Sequence, residues 1–205
     1  MGLALLSLWL LPATTIAQTR IDQLEVYRSD GWLVCEIRSS EMMDSRIRST
    51  VESGLPGACL YDLRLKWSDN GEILRLPLKL SLRLDLWEDT YYVEGAGQQE
   101  SFASLDRADS AWAHLGGVRL MRLDQLDANR SLELEVVLLV SPLGAEQRAW
   151  IDDYVSQANR NQRNELSLNL GGFLKKVFGK SDATDQASAS MASAPFTVRG
   201  LEARP

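Results

Sequence analysis

The chain has 205 residues, 45% hydrophobic and 24% charged, a composition that places it among globular proteins and suits one domain with a single core. Asp and Glu number 28 against 22 Lys and Arg, leaving a formal charge of −6, which argues against the basic footprint that nonspecific nucleic-acid binding requires. Two cysteines are too few for a disulfide scaffold, and one histidine excludes a histidine-built metal site.

Leu3 to Leu11 is an apolar run shorter than the ~20 residues that span a bilayer as a helix. Pro12 breaks it, and Thr15-Ile16-Ala17 offers a small-x-small cleavage site before Gln18. The pattern predicts a signal peptide over residues 1–17 and a periplasmic or secreted protein after cleavage near Ala17. No Lys or Arg precedes the run, so an uncleaved anchor and a misassigned start codon are the alternatives. No cysteine follows in a lipid-attachment position, and no later stretch is apolar enough to span a membrane.

Ile21 to Tyr27 and Trp32 to Ser39 read as strands joined at Asp30-Gly31, a hairpin signal. Glu41 to Ser53 changes to a helical period, with Met43, Ile47 and Val51 on one stripe and Gly54 and Pro56 beyond its end. Ala58 to Trp67 returns to a period of two. Ile73 to Trp87 then alternates seven leucines, Leu74 to Leu86, with mostly charged partners, the mark of a half-buried strand that overrides leucine's helix propensity.

Asn70-Gly71 between these two strands predicts a two-residue type I′ turn. That turn would set Trp67 opposite Leu74, Leu65 opposite Leu76, Leu63 opposite Leu78, Tyr61 opposite Leu80 and Cys59 opposite Leu82. It would also set Asp62 opposite Lys79, Lys66 opposite Arg75 and Pro77 opposite Arg64. Pro77 has no N–H, so the second side of the long strand is expected to be unpaired or bulged there, with another neighbour pairing only further along.

Tyr91 to Glu94 reads as a short strand ending at Gly95-Ala96-Gly97, and Ser104 as the cap of a helix from Leu105 to Leu115 stopped by Gly116-Gly117. Val118 to Leu123 and Ser131 to Ser141 read as strands. The latter is expected to be the long strand's second neighbour, with Glu133 and Glu135 across from Lys79 and Arg83. From Leu143 the period is helical, with Trp150, Ile151, Tyr154, Val155 and Ala158 on one side. A single α+β domain is therefore expected over 18–158, a polar and amphipathic extension over 159–180 and a disordered tail over 181–205. The Ser-, Ala- and Asp-rich stretch from Ser181 to Ala194 has little to bury against its ordering entropy. Pro195 to Val198 reads either as a short docking element or as tail.

The expected fold is α+β: a curved, mainly antiparallel sheet of about six to seven strands, its leucine-rich face covered by two or three helices.

Chemistry-bearing motifs are sparse. His114 has no nucleophile motif near it, and reads as a surface histidine at a helix end. Glu88-Asp89 and Asp152-Asp153 read as solvated carboxylates, since adjacent side chains diverge and neither pair lies in a calcium-loop pattern. Gly95-x-Gly97 lacks the third glycine and following helix of a phosphate loop. Catalytic, cofactor-binding and metal residues are accordingly assigned to none. Cys35 and Cys59 are either a disulfide or two buried thiols.

Two stretches carry a binding expectation. Arg64, Lys66, Arg75, Lys79 and Arg83 form a basic band on the polar face of the central hairpin, a candidate partner face; solvation and neutralisation by Asp62, Asp85, Glu133 and Glu135 is the competing reading. Phe173, Leu174, Lys175, Lys176, Val177 and Phe178 make a short cationic, apolar run, the only expected route to a membrane surface; packing onto the domain competes with it.

The leader, the helix ending in Val51-Glu52-Ser53-Gly54-Leu55-Pro56, the alternating hairpin, Tyr91-Tyr92-Val93, and Ser101-Phe102-Ala103-Ser104-Leu105 opening a helix resemble the bacterial exported family known as domain of unknown function DUF 4390. The resemblance covers Ile21 to Val140, and the polar helix and tail have no counterpart in it. It implies a bacterial envelope protein and supplies no activity or site residues. The expectation is a noncatalytic exported interaction protein with an envelope protein as partner and no cofactor; the alternative is a carrier of an apolar ligand between sheet and helices.

Overall fold

The computed structural model describes residues 18–69, 71–95, 97–142 and 187–204. The expected signal peptide, Asn70, the helix after Leu143 and the extension over 159–180 lie outside the described residues. Among the described residues the order is β1 (Arg20–Ser29), β2 (Trp32–Ser40), α1 (Ser45–Glu52), β3 (Gly57–Trp67), β4 (Glu72–Asp85), β5 (Thr90–Gly95), β6 (Gln98–Phe102), α2 (Leu105–Trp112), β7 (His114–Arg122), β8 (Leu132–Pro142) and β9 (Ala187–Ala192). The strands form two antiparallel sheets, one of three in the order β1-β2-β7 and one of six in the order β6-β5-β4-β3-β8-β9. The class is α+β, with two sheets where one was expected.

The first hairpin follows its turn chemistry. Asp30 and Gly31 both have positive φ, 48° and 78°, and Ser29 faces Trp32 as a two-residue loop requires. α1 begins at Ser45, later than the period suggests. Glu41 has φ 55° and cannot extend a helix, while Asp44 caps the first turn by accepting from the N–H groups of Arg46 (2.9 Å) and Ile47 (2.8 Å). Gly54, at φ 82°, ends it.

The β3–β4 register differs from expectation: Leu65 faces Leu74 rather than Leu76, a displacement of two residues, and Cys59 faces Leu80. The turn causes this. Trp67 N–H donates to the Gly71 carbonyl at 3.0 Å, closing a longer connection, and a bulge between Leu65 and Lys66 brings Lys66 to Glu72. An even displacement keeps every side chain on its face, so leucine still meets leucine. The polar pairs do change: Asp62 faces Pro77 and Arg64 faces Arg75.

β8 lies beside β3, with Arg64 opposite Glu135 and Lys66 opposite Glu133, so β8 is the second neighbour of β3, while the second neighbour of β4 is β5. Charge pairing alone had suggested Lys79 and Arg83 as the partners of those glutamates, and it does not distinguish one basic strand from its neighbour. Around Pro77 the expectation holds: β5 reaches β4 only from Leu80 to Asp85.

α2 stops at Trp112, and His114 opens β7 instead of closing the helix. Gly116-Gly117 forms a strand bulge in place of a helix stop. Cys35 faces Val118 and Ile37 faces Leu115, which leaves both glycines opposite Glu36, and Gly117 has φ 66°. Within the expected disordered tail, the described residues 187–204 are a correction. Ala187–Ala192 is β9, paired along β8 from Glu135 to Val140. Backbone pairing at a sheet edge orders residues whose small side chains bury little. Phe196 then exchanges hydrogen bonds with Leu132, and Val198 is buried.

One core unites both sheets. Leu63, Leu65, Leu82, Leu134 and Val136 are packed under Ile47 and Val51 of α1, Ala108 and Trp112 of α2, and Leu33, Cys35 and Ile37 of β2. The three-stranded sheet thus shares with the helices the covering role expected of helices alone. Trp112 is fully buried, a gross gain of roughly 4–6 kcal/mol for a large aromatic. Gly57 lets α1 approach β3, since a Cβ there would lie 3.1 Å from Ile47 and 3.3 Å from Val51.

Candidate functional site

The basic band is assembled on one face but its charges are engaged. Asp62 is fully buried, and Arg64 Nη2 donates to its Oδ2 at 2.9 Å while Arg75 donates to both oxygens, Nε to Oδ1 at 2.9 Å and Nη2 to Oδ2 at 2.8 Å. This carboxylate between two guanidinium groups explains why Arg64 and Arg75 can face each other across the ladder. Lys66 Nζ lies 3.7 Å from Glu133 and 3.8 Å from Glu135. Arg83 donates to Glu94 at 3.2 Å and stacks on the Tyr92 ring at 4.6 Å. Lys79 lies further along the same strand, opposite Leu60.

Cys35 and Cys59 are free, buried thiols. Burial pushes the Cys35 thiol up to about 12 and raises that of Cys59 as well. Tyr61 is buried beside them, its hydroxyl 3.3 Å from Ser39 Oγ, and desolvation raises it too. These groups belong to packing.

His114 Nε2 lies 3.0 Å from Glu36 Oε1 on the exposed end of β7. Hydrogen bonds from Arg38 and then His114 hold the Glu36 carboxyl below its ordinary range. Asp109 on α2 moves the other way: it is half-buried, its Oδ1 has no hydrogen-bond partner among the described residues, and desolvation raises it. Glu88 is hydrogen bonded to the Tyr92 hydroxyl. Among the described residues no group of three or more His, Cys, Asp or Glu is placed to hold a metal ion. Asp152-Asp153 and Phe173, Leu174, Lys175, Lys176, Val177 and Phe178 lie outside the described residues.

A cleft that the linear sequence did not reveal lies between the two sheets. It encloses about 620 Å³, within the range of ligand-binding cavities. Leu76, Leu78 and Leu80 of β4 with Val93 of β5 form its apolar wall. The other wall is β7, contributing Leu115 and Val118 with Gly116 and Gly117 between them. Gln98 and Glu100 of β6, with His114 and Arg119 of β7, supply polar groups at its margin. Its position follows from two features: Pro77, after which β5 joins β4 only at Leu80, and the β7 outer edge, which has no strand neighbour among the described residues. Gly95 closes the junction, since a Cβ there would lie 2.5 Å from the Lys79 carbonyl oxygen. Pro77 was the one signal in the sequence pointing here; the cleft's other wall needed the Gly-Gly bulge, which reads equally as a helix stop.

Comparison with protein-family models, curated proteins and solved structures yields no match to this chain.

Proposed function

We propose that this chain is a noncatalytic interaction protein of the bacterial cell envelope, exported after cleavage near Ala17 and related to the DUF 4390 family, and that its recognition surface is the cleft between β4 and β7. The observation that carries the reading is the cleft itself: an apolar wall of leucines facing a strand edge, with polar groups at the margin. The basic band is a weaker candidate for partner contact, because Arg64 and Arg75 are committed to Asp62 and Lys66 to Glu133 and Glu135.

Photo-crosslinking in intact cells tests this. A photoreactive residue at Arg119 or Gln98 is expected to trap a discrete partner, and the same residue at Lys66 is not. Adducts at Lys66 alone would return recognition to the basic band, and substituting Lys79 and Arg83 by Glu would then abolish them. Adducts at none of these positions would sink the interaction reading.

The second reading, a carrier of an apolar ligand, is favoured by Leu76, Leu78, Leu80 and Val93 standing together in one cleft. Native mass spectrometry after gentle purification is expected to show an added small-molecule mass if it holds. Contact with an anionic membrane surface belongs to Phe173, Leu174, Lys175, Lys176, Val177 and Phe178 in either reading.

A further inference from the structure

We infer that the occupant of the cleft is an extended peptide segment of a partner protein, which adds as a strand to the outer edge of β7. The inference rests on the cleft being the recognition surface and names what binds there. Three independent features of the cleft converge on a peptide rather than a compact apolar molecule.

The first is the backbone. β7 pairs with β2 on one side only, and no other strand adjoins it among the described residues. An antiparallel strand offers half its N–H and C=O groups to each side, so the β7 edge presents a row of them toward the cleft. The stretch His114 to Arg119 is six residues, at most about 20 Å of strand, with the bulge at its centre.

The second is the pair of glycines. At the centre of that edge stand Gly116 and Gly117; a Cβ added at Gly117 would meet nothing within 4 Å, while one at Gly116 would lie 3.2 Å from Nε2 of the exposed His114 ring. The bulge interrupts the ladder there, so the added strand would bond to β7 on either side of it, and the absence of side chains on both glycines lets another backbone pass close by. The opposite wall suits the incoming strand's side chains. Leu76, Leu78 and Val93 would receive those on one face at a two-residue period, which is how added strands acquire specificity.

The third is charge. Arg119 makes no ion pair among the described residues, its guanidinium lying 5.9 Å from the Trp32 ring centroid, and Glu100 on the facing side makes none either. Among the described residues the two margins of the cleft thus carry charges of opposite sign with no ion-pair partner. A peptide with an acidic residue toward Arg119 and a basic one toward Glu100 complements both, and an apolar molecule complements neither.

The test uses the full chain and a displayed library of random ten-residue peptides. A selected peptide is resynthesised with a single N-methyl group at each position in turn, and binding is followed by fluorescence anisotropy. Strand addition predicts alternation: methylation weakens binding about tenfold or more at every second residue, where the amide faces β7, and much less between them. Bound peptide should also slow amide exchange from Leu115 to Arg119. A flat N-methyl profile would overturn strand addition. If Leu78→Arg still abolished binding of that peptide, the cleft would stand as recognition surface and only the mode would be lost; indifference to Leu78→Arg would remove the cleft as well. Failure to select any peptide, with dodecanol bound instead, would overturn the inference in favour of the apolar carrier. A homodimer paired through β7, seen by sedimentation and by protection of the same amides without peptide, would overturn it in favour of a second copy.

Discussion

Asp62 shows how a single buried residue can engage two charges of a basic band. Its carboxylate is fully buried and accepts from both Arg64 and Arg75, of which Arg75 is itself nearly buried, at 10% exposure. Removing one member of a buried ionic cluster leaves the rest desolvated and unpaired. Asp62→Ala is therefore expected to cost about 3–5 kcal/mol in urea unfolding. The exposed pair Arg130 and Asp69, 2.8 Å apart, provides the contrast: Asp69→Ala should leave the urea midpoint almost unmoved. Equal costs would mean that burial of Asp62 has no energetic consequence.

The thiols give a second prediction at this scale. Burial raises Cys35 to about 12, so the folded state holds the proton more tightly than the unfolded chain, whose thiol titrates near ~8.5. The corresponding stability is fully present below about pH 8.5 and is lost as pH rises towards 12. Cys59 and Tyr61 shift in the same direction, from the same desolvation. Unfolding free energy should accordingly fall across the alkaline range, and Cys35→Ala should flatten part of that fall. In the native protein at neutral pH a maleimide should label neither cysteine, and after denaturation both.

At the scale of elements, the glycine at the end of β5 sets how closely two strands approach. A methyl group on Gly95 would lie 2.5 Å from the Lys79 carbonyl oxygen and 2.9 Å from the Leu80 Cα, both backbone atoms that cannot swing aside. Gly95→Ala is expected to destabilise by about 1–3 kcal/mol and to speed amide exchange in β5 and β6 ahead of β8. Gly57→Ala meets only side chains of Ile47, Val51 and Trp112, at 3.1 Å or more, and should cost less.

Elements with a strong period were legible in the sequence. β2, β3, β4 and β8 alternate apolar and polar residues, and Asp30-Gly31 fixed the first hairpin, because burial of one face imposes a period of two. β6 and β9 were not, since QQESF and ASASMA carry no apolar stripe and are held by edge hydrogen bonds to β5 and β8. The β3–β4 register was missed by two residues because either even register keeps leucine on leucine; the loop alone decides between them. For the site, Pro77 announced the open side of β4, but nothing local announces that β7 comes to face it. That juxtaposition depends on contacts far apart in sequence.

At the scale of the whole molecule, the last described residues tie the two sheets together. Phe196 is bonded to Leu132 at the start of β8, while Arg28 of β1 donates to the Glu202 carbonyl at 2.9 Å and accepts from Arg204 N–H at 2.8 Å. Arg204 also reaches Glu25 at 2.8 Å and lies 4.5 Å from the Tyr27 ring centroid. Between these anchors Val198 is buried and Phe196 and Leu201 pack against the core. A strap joined to both sheets limits how far they can part, and the cleft lies between the same two sheets, so strap and cleft width should be coupled. Replacing Phe196 and Val198 together by Ala is expected to cost about 2–4 kcal/mol of stability. The more telling readout is amide exchange: loss of the strap should raise it at Arg28 and Leu132 and also along β7, with which the strap shares no backbone hydrogen bond among the described residues. Faster exchange at Arg28 and Leu132 with β7 unchanged would show that the strap seals its own edges and leaves the cleft to the core alone.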